Sequence, residues 1–504
     1  MRQAITQSAN YKWWVFGTIA IGSFLSVIDH GSVLVALPSI ASHFGANLPT
    51  VQWVVLGSTL TISVLLLPMG RLGDIIGRKR MYIAGFIIFA LAAALAGVSV
   101  NLPMLILAKV LQGSGSAMIQ GNAMAMIVSV FPARERGKAL GSHLSVVGIG
   151  AITGPALGGL LVSAFGWRSV FLVNSLVGLV TITAAVIILD RARLSQETQP
   201  GQTLKFDWPG ASLCGGALLL FLLVMSNGYR VGWLSAPIIA GLLACVVLLA
   251  AFIWWELRAP SPMLELRLFR RRLVAFGVAA GWVSFLGSSS VLFMMPFYLQ
   301  KVLGYSPREA GLIVIPGAFC LVVMGLIGGR LSDRFGWRMF NLGGLTLSAA
   351  ALFMLSTRLT EHSPLALIIP TLMLLSCGNG LFNTPNNSSI LSAVERSRYG
   401  VVSSLTQLVR NTANVTSISL ATTVVVATMA AQGFEPSLSA VSGENGPAVA
   451  HAFVSGLHRA FMILGGLLVL GIVLSFFKGE RAKEASPGAA APAPAVPVGE
   501  SVPD

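Results

Sequence analysis

The chain has 504 residues, of which 55% are hydrophobic and only 10% charged, and its mean hydropathy is +0.80. A soluble chain of this length carries about 25% charged residues, so the composition excludes an ordinary soluble protein and points to a membrane. The net charge of +15 would suit nucleic acid, but the basic residues sit in short connections between apolar runs, which excludes a DNA-binding surface.

Those runs are about twenty residues long, enough to cross a bilayer about 30 Å thick, and fourteen are predicted. The first six lie near 14–37, 51–70, 81–99, 103–129, 138–161 and 168–189. Eight more lie near 209–227, 234–255, 273–298, 309–328, 339–357, 364–388, 399–430 and 453–477. The first run is not a cleavable signal, because it is too long and contains Asp29. With the N-terminus inside, the inner connections and termini hold about 25 of the 33 Lys and Arg, and the outer connections about six. That bias predicts a multi-pass protein of the cell membrane with both ends in the cytoplasm. Cys214, Cys245, Cys320 and Cys377 fall inside apolar runs without metal-ligand spacing.

Asp29 lies deep in the first span, where an acid costs about 2.5–3.5 kcal/mol on insertion scales. Gly22, Ser26, Asp29, Val33 and Ala36 follow helical spacing, which turns the acid toward other helices. A carboxyl held away from bulk water can exchange a proton at a level its surroundings tune. Asp29, Lys109 and Arg410 are the candidate proton-coupling residues; the alternative is a structural acid paired with Lys109 or Arg410.

After the second span, "GRLGDIIGRKR" (Gly70–Arg80) concentrates charge between apolar runs. Gly70 and Gly77 allow a sharp turn between helix ends, and Arg78 with its neighbours holds the turn inside. Asp74 has no use in orientation; it is either a latch between bundles or a solvated turn acid. A copy, "GRLSDRFGWR" with Gly329, Asp333 and Gly336, follows the tenth span, 259 positions later (329 − 70 = 259). "GSG" at 113–115 is echoed by "GNG" at 378–380, and "ERGKAL" at 135–140 loosely by "SRYGVVSSL" at 397–405. Copies shifted by eight spans imply two six-helix halves with a seventh and eighth span inserted between them, an arrangement that places a solute site near the midplane.

In the fourth span Lys109, Gln112, Ser116 and Gln120 form a polar stripe at steps of three and four. Lys109 either takes part in proton exchange or supplies fixed charge, and it needs an acid or a wet cavity beside it. In the second half, Asn379, Asn383 and Asn386 form one stripe and Gln407, Arg410 and Asn414 another. These either line a solute cavity or bond neighbouring helices. The fifth span carries Gly141, Gly150, Gly154, Pro155, Gly158 and Gly159, which predicts a closely packed helix bent at its proline. The linker "ELRAPSPMLELRLFRRR" is expected on the cytoplasmic membrane surface, and the Ala/Pro-rich tail is expected to lack structure.

Gly70, Leu72, Asp74, Gly77, Arg78 and Lys79 resemble the loop signature of the major facilitator superfamily. The resemblance implies that Asp74 stabilises the outward-facing state. Fourteen spans resemble the drug:proton antiporter branch, as does "WRSVFLVN" from Trp167 to Asn174. The fifth-span pattern, G-x8-G-x3-G-P-x2-G-G, resembles the superfamily's antiporter motif and implies export. Lys109-Val110-Leu111-Gln112-Gly113 resembles an Arg-x-x-Gln-Gly pattern, with lysine as a departure.

The expected fold is therefore an all-α membrane protein: a bundle over 1–190, two inserted helices and a basic linker over 191–272, a second bundle over 273–480, and a tail over 481–504. The expected activity is proton-coupled export of amphipathic drugs, cationic ones included, by a monomer. The alternatives are a dedicated exporter of one metabolite or antibiotic and, less favoured, an importer. The partners are small-molecule substrate, protons and the lipid bilayer, with no nucleic acid. The proton gradient is the energy source in place of a cofactor. No metal-binding, nucleophile or phosphate-loop signature suggests an enzyme.

Overall fold

The computed structural model describes residues 10–132, 135–190, 207–259, 266–394, 399–435 and 446–476. Fourteen helices among them are long and apolar enough to cross a membrane. The first six are α1 (Tyr11–Phe44), α2 (Trp53–Ile76), α3 (Arg78–Gly97), α4 (Leu102–Val130), α5 (Arg136–Phe165) and α6 (Arg168–Ile188). A single helical turn, Leu48–Val51, leads into α2. Two follow as α7 (Trp208–Val231) and α8 (Ala236–Glu256). The last six are α9 (Arg272–Phe297, continued by a wide turn Tyr298–Val302), α10 (Pro307–Phe335), α11 (Trp337–Arg358), α12 (Leu365–Ser392), α13 (Tyr399–Ala431) and α14 (Gly446–Phe476). The tail over 481–504 lies outside the described residues.

Polar residues start several helices by occupying amide groups that have no partner within the helix. Asn101 accepts from Met104 N at 2.9 Å before α4, and Ser306 and Glu309 cap each other's amides at the start of α10. Gly77 (φ +109°) ends α2 and Gly336 (φ +83°) ends α10, both in backbone that favours glycine. They are 259 residues apart (336 − 77 = 259), so the repeated motif makes the same turn twice.

The helix pairings repeat as well. α2 and α3 each pack on α4, α3 on α6, and α1 on α5 and α6; the same pairings recur among α9–α14, shifted by eight helices. Glycines make the tightest crossings. A Cβ on Gly115 would lie 2.6 Å from the carbonyl oxygen of Gly85, where α4 crosses α3. A Cβ on Gly344 would lie 2.6 Å from that of Gly378, where α11 crosses α12. The last glycine of "GSG" thus corresponds to the first of "GNG", two positions away from a direct overlay of the two triplets. Contact with a backbone carbonyl, rather than the tripeptide as a unit, sets the correspondence.

α7 packs between α2 and α13, one helix from each half, and α8 packs on α7. α8 turns Leu243, Val246 and Val247 outward, as a helix bathed in lipid would. The linker departs from its expected surface position at Leu268, which is buried with Val274, Ile390, Val394 and Val402. Burying leucine against the second half removes apolar area from water. Its residues 260–265 lie outside the described set.

The buried core shows where the halves meet. The start of α1 at Tyr11 and the end of α14 at Phe476 lie at one end of the bundle, here the terminal end; the opposite end is distal. One continuous cluster of buried side chains joins Leu37, Ile40 and Val51 to Phe297, Leu299 and Ala310 at the distal end. At the terminal end the core divides: Tyr11, Tyr82, Phe86 and Phe131 pack within the first half, while Val274, Ile390 and Val402 pack within the second. The buried cores of the halves are joined distally and divide toward the terminal end, where Gln407 and Gln120 still bridge the halves.

Candidate functional site

Asp29 lies near the middle of α1, 8% exposed, facing α4 and α6. Its Oδ2 is 2.8 Å from Lys109 Nζ. Its Oδ1 accepts from Asn174 Nδ2 at 2.8 Å and from Gln112 Nε2 at 3.2 Å. Lys109 Nζ also donates to Gln112 Oε1 at 2.6 Å and lies 5.6 Å from the ring centroid of Phe171. α4 supplies Lys109 and Gln112 three residues apart, and α6 supplies Phe171 and Asn174 at the same spacing, which puts each pair on one helix face. Lys109 is only 2% exposed. Such a pair persists in a low dielectric because each charge is held by the other and by further hydrogen bonds.

The site is a buried ion pair inside the first half, bordered by half-buried His30, which lies in the field of Asp29, Lys109 and Arg410. Ser116 is buried and Gln120 half-buried farther along α4. The α13 stripe faces this region from the other half. Gln407 Nε2 donates across the halves to Gln120 Oε1 at 3.3 Å, and Arg410 lies 6.0 Å from the ring centroid of Phe285 on α9. Ser289 on α9 donates to Asn414. On α12, Asn379 accepts from Ser284 at 3.4 Å and Asn386 donates to the Gly277 carbonyl at 3.0 Å, both to α9, while Asn383 is half-buried. Phe171, Asn174 and Phe285 complete the site; Phe171 and Asn174 lie in "WRSVFLVN", read from the sequence only as a resemblance, and Phe285 carried no signal. Asn174 is the one amide among the residues of α6, which could have marked it.

The α5 glycines divide between two neighbours. Gly150 packs on Phe24 and Val27, a Cβ on Gly154 would lie 3.3 Å from Gly31 Cα, and Gly158 abuts Ser32, all on α1. Ser32 Oγ also donates to the Gly154 carbonyl at 2.8 Å. Gly159 abuts the Pro307 carbonyl, and the Pro155 carbonyl abuts Gly311, both on α10. The surroundings of Gly141 lie outside the described residues. α5 therefore forms a thin wall between its own half and the other. Nearby, Arg308 N donates to Ser163 Oγ at 3.0 Å, Gln300 Nε2 to the Val35 carbonyl at 2.9 Å, and Lys301 to Ser42. All of these contacts are distal.

At the terminal end, Asp74 pairs with Arg78 of its own turn (Nη2–Oδ1 2.8 Å), and Arg78 Nη1 donates to the Ala125 carbonyl at 3.2 Å. A Cβ on Gly70 would lie 3.2 Å from the Gly121 carbonyl oxygen, and one on Gly329 would lie 2.9 Å from Thr384. The side chain of Asp333 lies outside the described residues.

A helical wall of glycines, a paired charge at mid-membrane and two halves joined at one end define a membrane transporter. The family model described as "Major Facilitator Superfamily" matches residues 19–418, and the chain belongs to that family. The riboflavin transporter RibZ of Clostridioides difficile is 31% identical over 400 residues, 79% of this chain and 85% of RibZ. The multidrug resistance protein Stp of Mycobacterium tuberculosis is 32% identical over 386 residues, 76% of this chain and 70% of Stp. Among solved structures, a bacterial homologue of the human lysosomal transporter Spinster, in an inward-facing and unoccupied conformation, matches with a TM-score of 0.67. It is 19% identical and covers 94% of this chain and 97% of that one. The protein is a multi-pass membrane transporter of small molecules with the major facilitator fold.

Proposed function

We propose that this transporter is a proton-coupled exporter of amphipathic drugs or similar small molecules, working by alternating access. The observation that carries the reading is the Asp29–Lys109 pair, 2.8 Å apart and buried near mid-membrane. A proton added to Asp29 weakens the attraction holding Lys109, so protonation and rearrangement of α1 against α4 are linked. Gln112 and Asn174, bonded to the same carboxyl, transmit that change to α4 and α6. The α5 wall supports the outward direction: glycine contacts on both faces let the halves close tightly at the distal end and limit leak. The basic terminal-end connections support a cytoplasmic position for that end, where the divided core would admit substrate. Ser116, Gln120, Asn383 and Gln407 provide its polar contacts, while Gln112, Asn379, Asn386 and Asn414 are bonded to neighbouring helices, and the chain acts as a monomer driven by the proton gradient.

A dedicated exporter of one compound is the second reading; the similarity to a riboflavin transporter favours a single substrate. In everted vesicles holding a pH gradient, adding a substrate collapses the gradient if antiport operates. Asp29→Asn is expected to insert in the membrane and to leave the gradient intact; collapse at the wild-type rate would remove Asp29 from the coupling.

A further inference from the structure

Among the described residues, Asp29 is the only acid placed far from a helix end inside a membrane span. Asp74, Asp333, Glu256 and Glu309 lie within the last or first turn of their helices. Both carboxylate oxygens of Asp29 are already engaged, Oδ2 by Lys109 and Oδ1 by Gln112 and Asn174. No acid is left at that depth to receive a cationic substrate without breaking the pair.

Arg410 has the opposite situation. It is half-buried on α13, and among the described residues no acid lies within 4.0 Å of it. Its guanidinium faces the half-buried ring of Phe285. One residue on, Asn411 is 6% exposed, accepts from Gln407 at 3.4 Å, and keeps a buried Nδ2 with no acceptor. Successive residues of α13 thus supply a permanent cation without a paired acid among the described residues and a buried amide donor without an acceptor. Leaving such groups empty in a low dielectric is costly, and a carboxylate, sulfonate or phenolate would satisfy both while an attached ring packed on Phe285.

We propose that the cavity selects an anionic group on an aromatic frame, with Arg410 and Asn411 on α13 receiving the anion and Phe285 the ring. The assignment rests on the transporter reading above and narrows it to a substrate charge.

The test uses the purified full-length chain in detergent and two dyes on one xanthene frame, anionic fluorescein and cationic rhodamine 6G, with binding followed by fluorescence anisotropy. Fluorescein is expected to bind at least about tenfold more tightly than rhodamine 6G. Arg410→Gln is expected to weaken fluorescein about tenfold, the loss of one charge-assisted hydrogen bond, and to leave rhodamine 6G unchanged or tighter. Arg410→Lys keeps part of the preference. Tighter rhodamine 6G binding by the wild type, or fluorescein affinity indifferent to Arg410→Gln, overturns the proposal. If Arg410→Gln does not yield folded protein, the wild type decides alone: 2-naphthalenesulfonate displaces fluorescein and 2-naphthylmethylammonium does not, and the reverse order overturns the assignment. Binding is read without any gradient. Arg410-dependent fluorescein binding without pH-driven movement in vesicles therefore defeats the exporter reading and leaves the charge assignment standing.

Discussion

Gly159 on α5 and Pro307 on α10 meet backbone to backbone across the two halves, so that a Cβ on Gly159 would collide with the Pro307 carbonyl oxygen. Gly158, the preceding residue, makes an equally tight contact with Ser32 on α1, inside its own half. Adjacent glycines thus serve different interfaces, one that must open during transport and one that stays packed.

Alanine at the two positions is expected to act differently. Gly159→Ala forces the halves apart at the distal end, so a cysteine at Ala310, 1% exposed while that end is closed, gains reactivity toward an impermeant thiol reagent while thermal stability changes little. Gly158→Ala overpacks the first half, an effect of about 1–3 kcal/mol, and lowers the melting temperature without raising that reactivity. Equal reactivity in both variants would mean that α5 does not divide its faces in this way.

The ion pair yields a double-variant cycle. Asp29→Asn leaves Lys109, 2% exposed, with Gln112 Oε1 and no counter-charge. Breaking one side of a buried pair costs about 3–5 kcal/mol, less here in proportion to what Gln112 retains. Asp29→Asn combined with Lys109→Gln removes both charges and is expected to recover most of the lost melting temperature. Neither variant is expected to move substrate against its gradient when driven by pH. A stable double variant that still concentrates substrate would assign the coupling elsewhere.

Asp74 contacts Arg78 of its own turn while the distal end is closed. If the resemblance of this turn to the superfamily signature holds in function, the acid acts in the other state. Asp74→Asn is then expected to lower turnover severalfold, to leave substrate affinity in detergent unchanged, and to reduce labelling from outside of a distal cysteine. An affinity loss equal to the turnover loss would place Asp74 in binding instead.

How much of this was legible in the sequence depends on whether a feature is set within one helix or between helices. The turn ending at Gly77 recurs at Gly336 because both are local solutions to one backbone problem, and the repeat could be read directly. The need of Lys109 for an acid was equally readable from the expense of an unpaired ammonium. That α6 brings Phe171 and Asn174 to the same carboxyl was not, because periodicity shows which residues share a face and never which helix the face meets. The second-half stripes show this limit: Asn379, Asn386 and Asn414 all reach α9. Helix ends were also underestimated. α1 runs from Tyr11 to Phe44, beyond the apolar run near 14–37, because a helix continues past the hydrocarbon core where hydropathy no longer marks it.

The charge assigned to the substrate has an electrical consequence. Exchange of one inward proton for one outward monoanion carries two charges in the same electrical sense, whereas exchange for a monocation carries none. A potential of 100 mV contributes about 2.3 kcal/mol per charge, hence about 4.6 kcal/mol for the anion and nothing for the cation. In proteoliposomes with the terminal end facing the lumen, a lumen-negative potassium diffusion potential is expected to accelerate fluorescein efflux at fixed pH gradient. Rhodamine 6G exchange, where it occurs, is expected to ignore the potential. Arg410→Gln lowers fluorescein efflux at every potential because it weakens capture, yet it leaves the direction of the voltage effect unchanged, since the charge moved belongs to substrate and proton. Fluorescein efflux indifferent to potential would exclude a one-proton, one-anion exchange and require a second compensating ion.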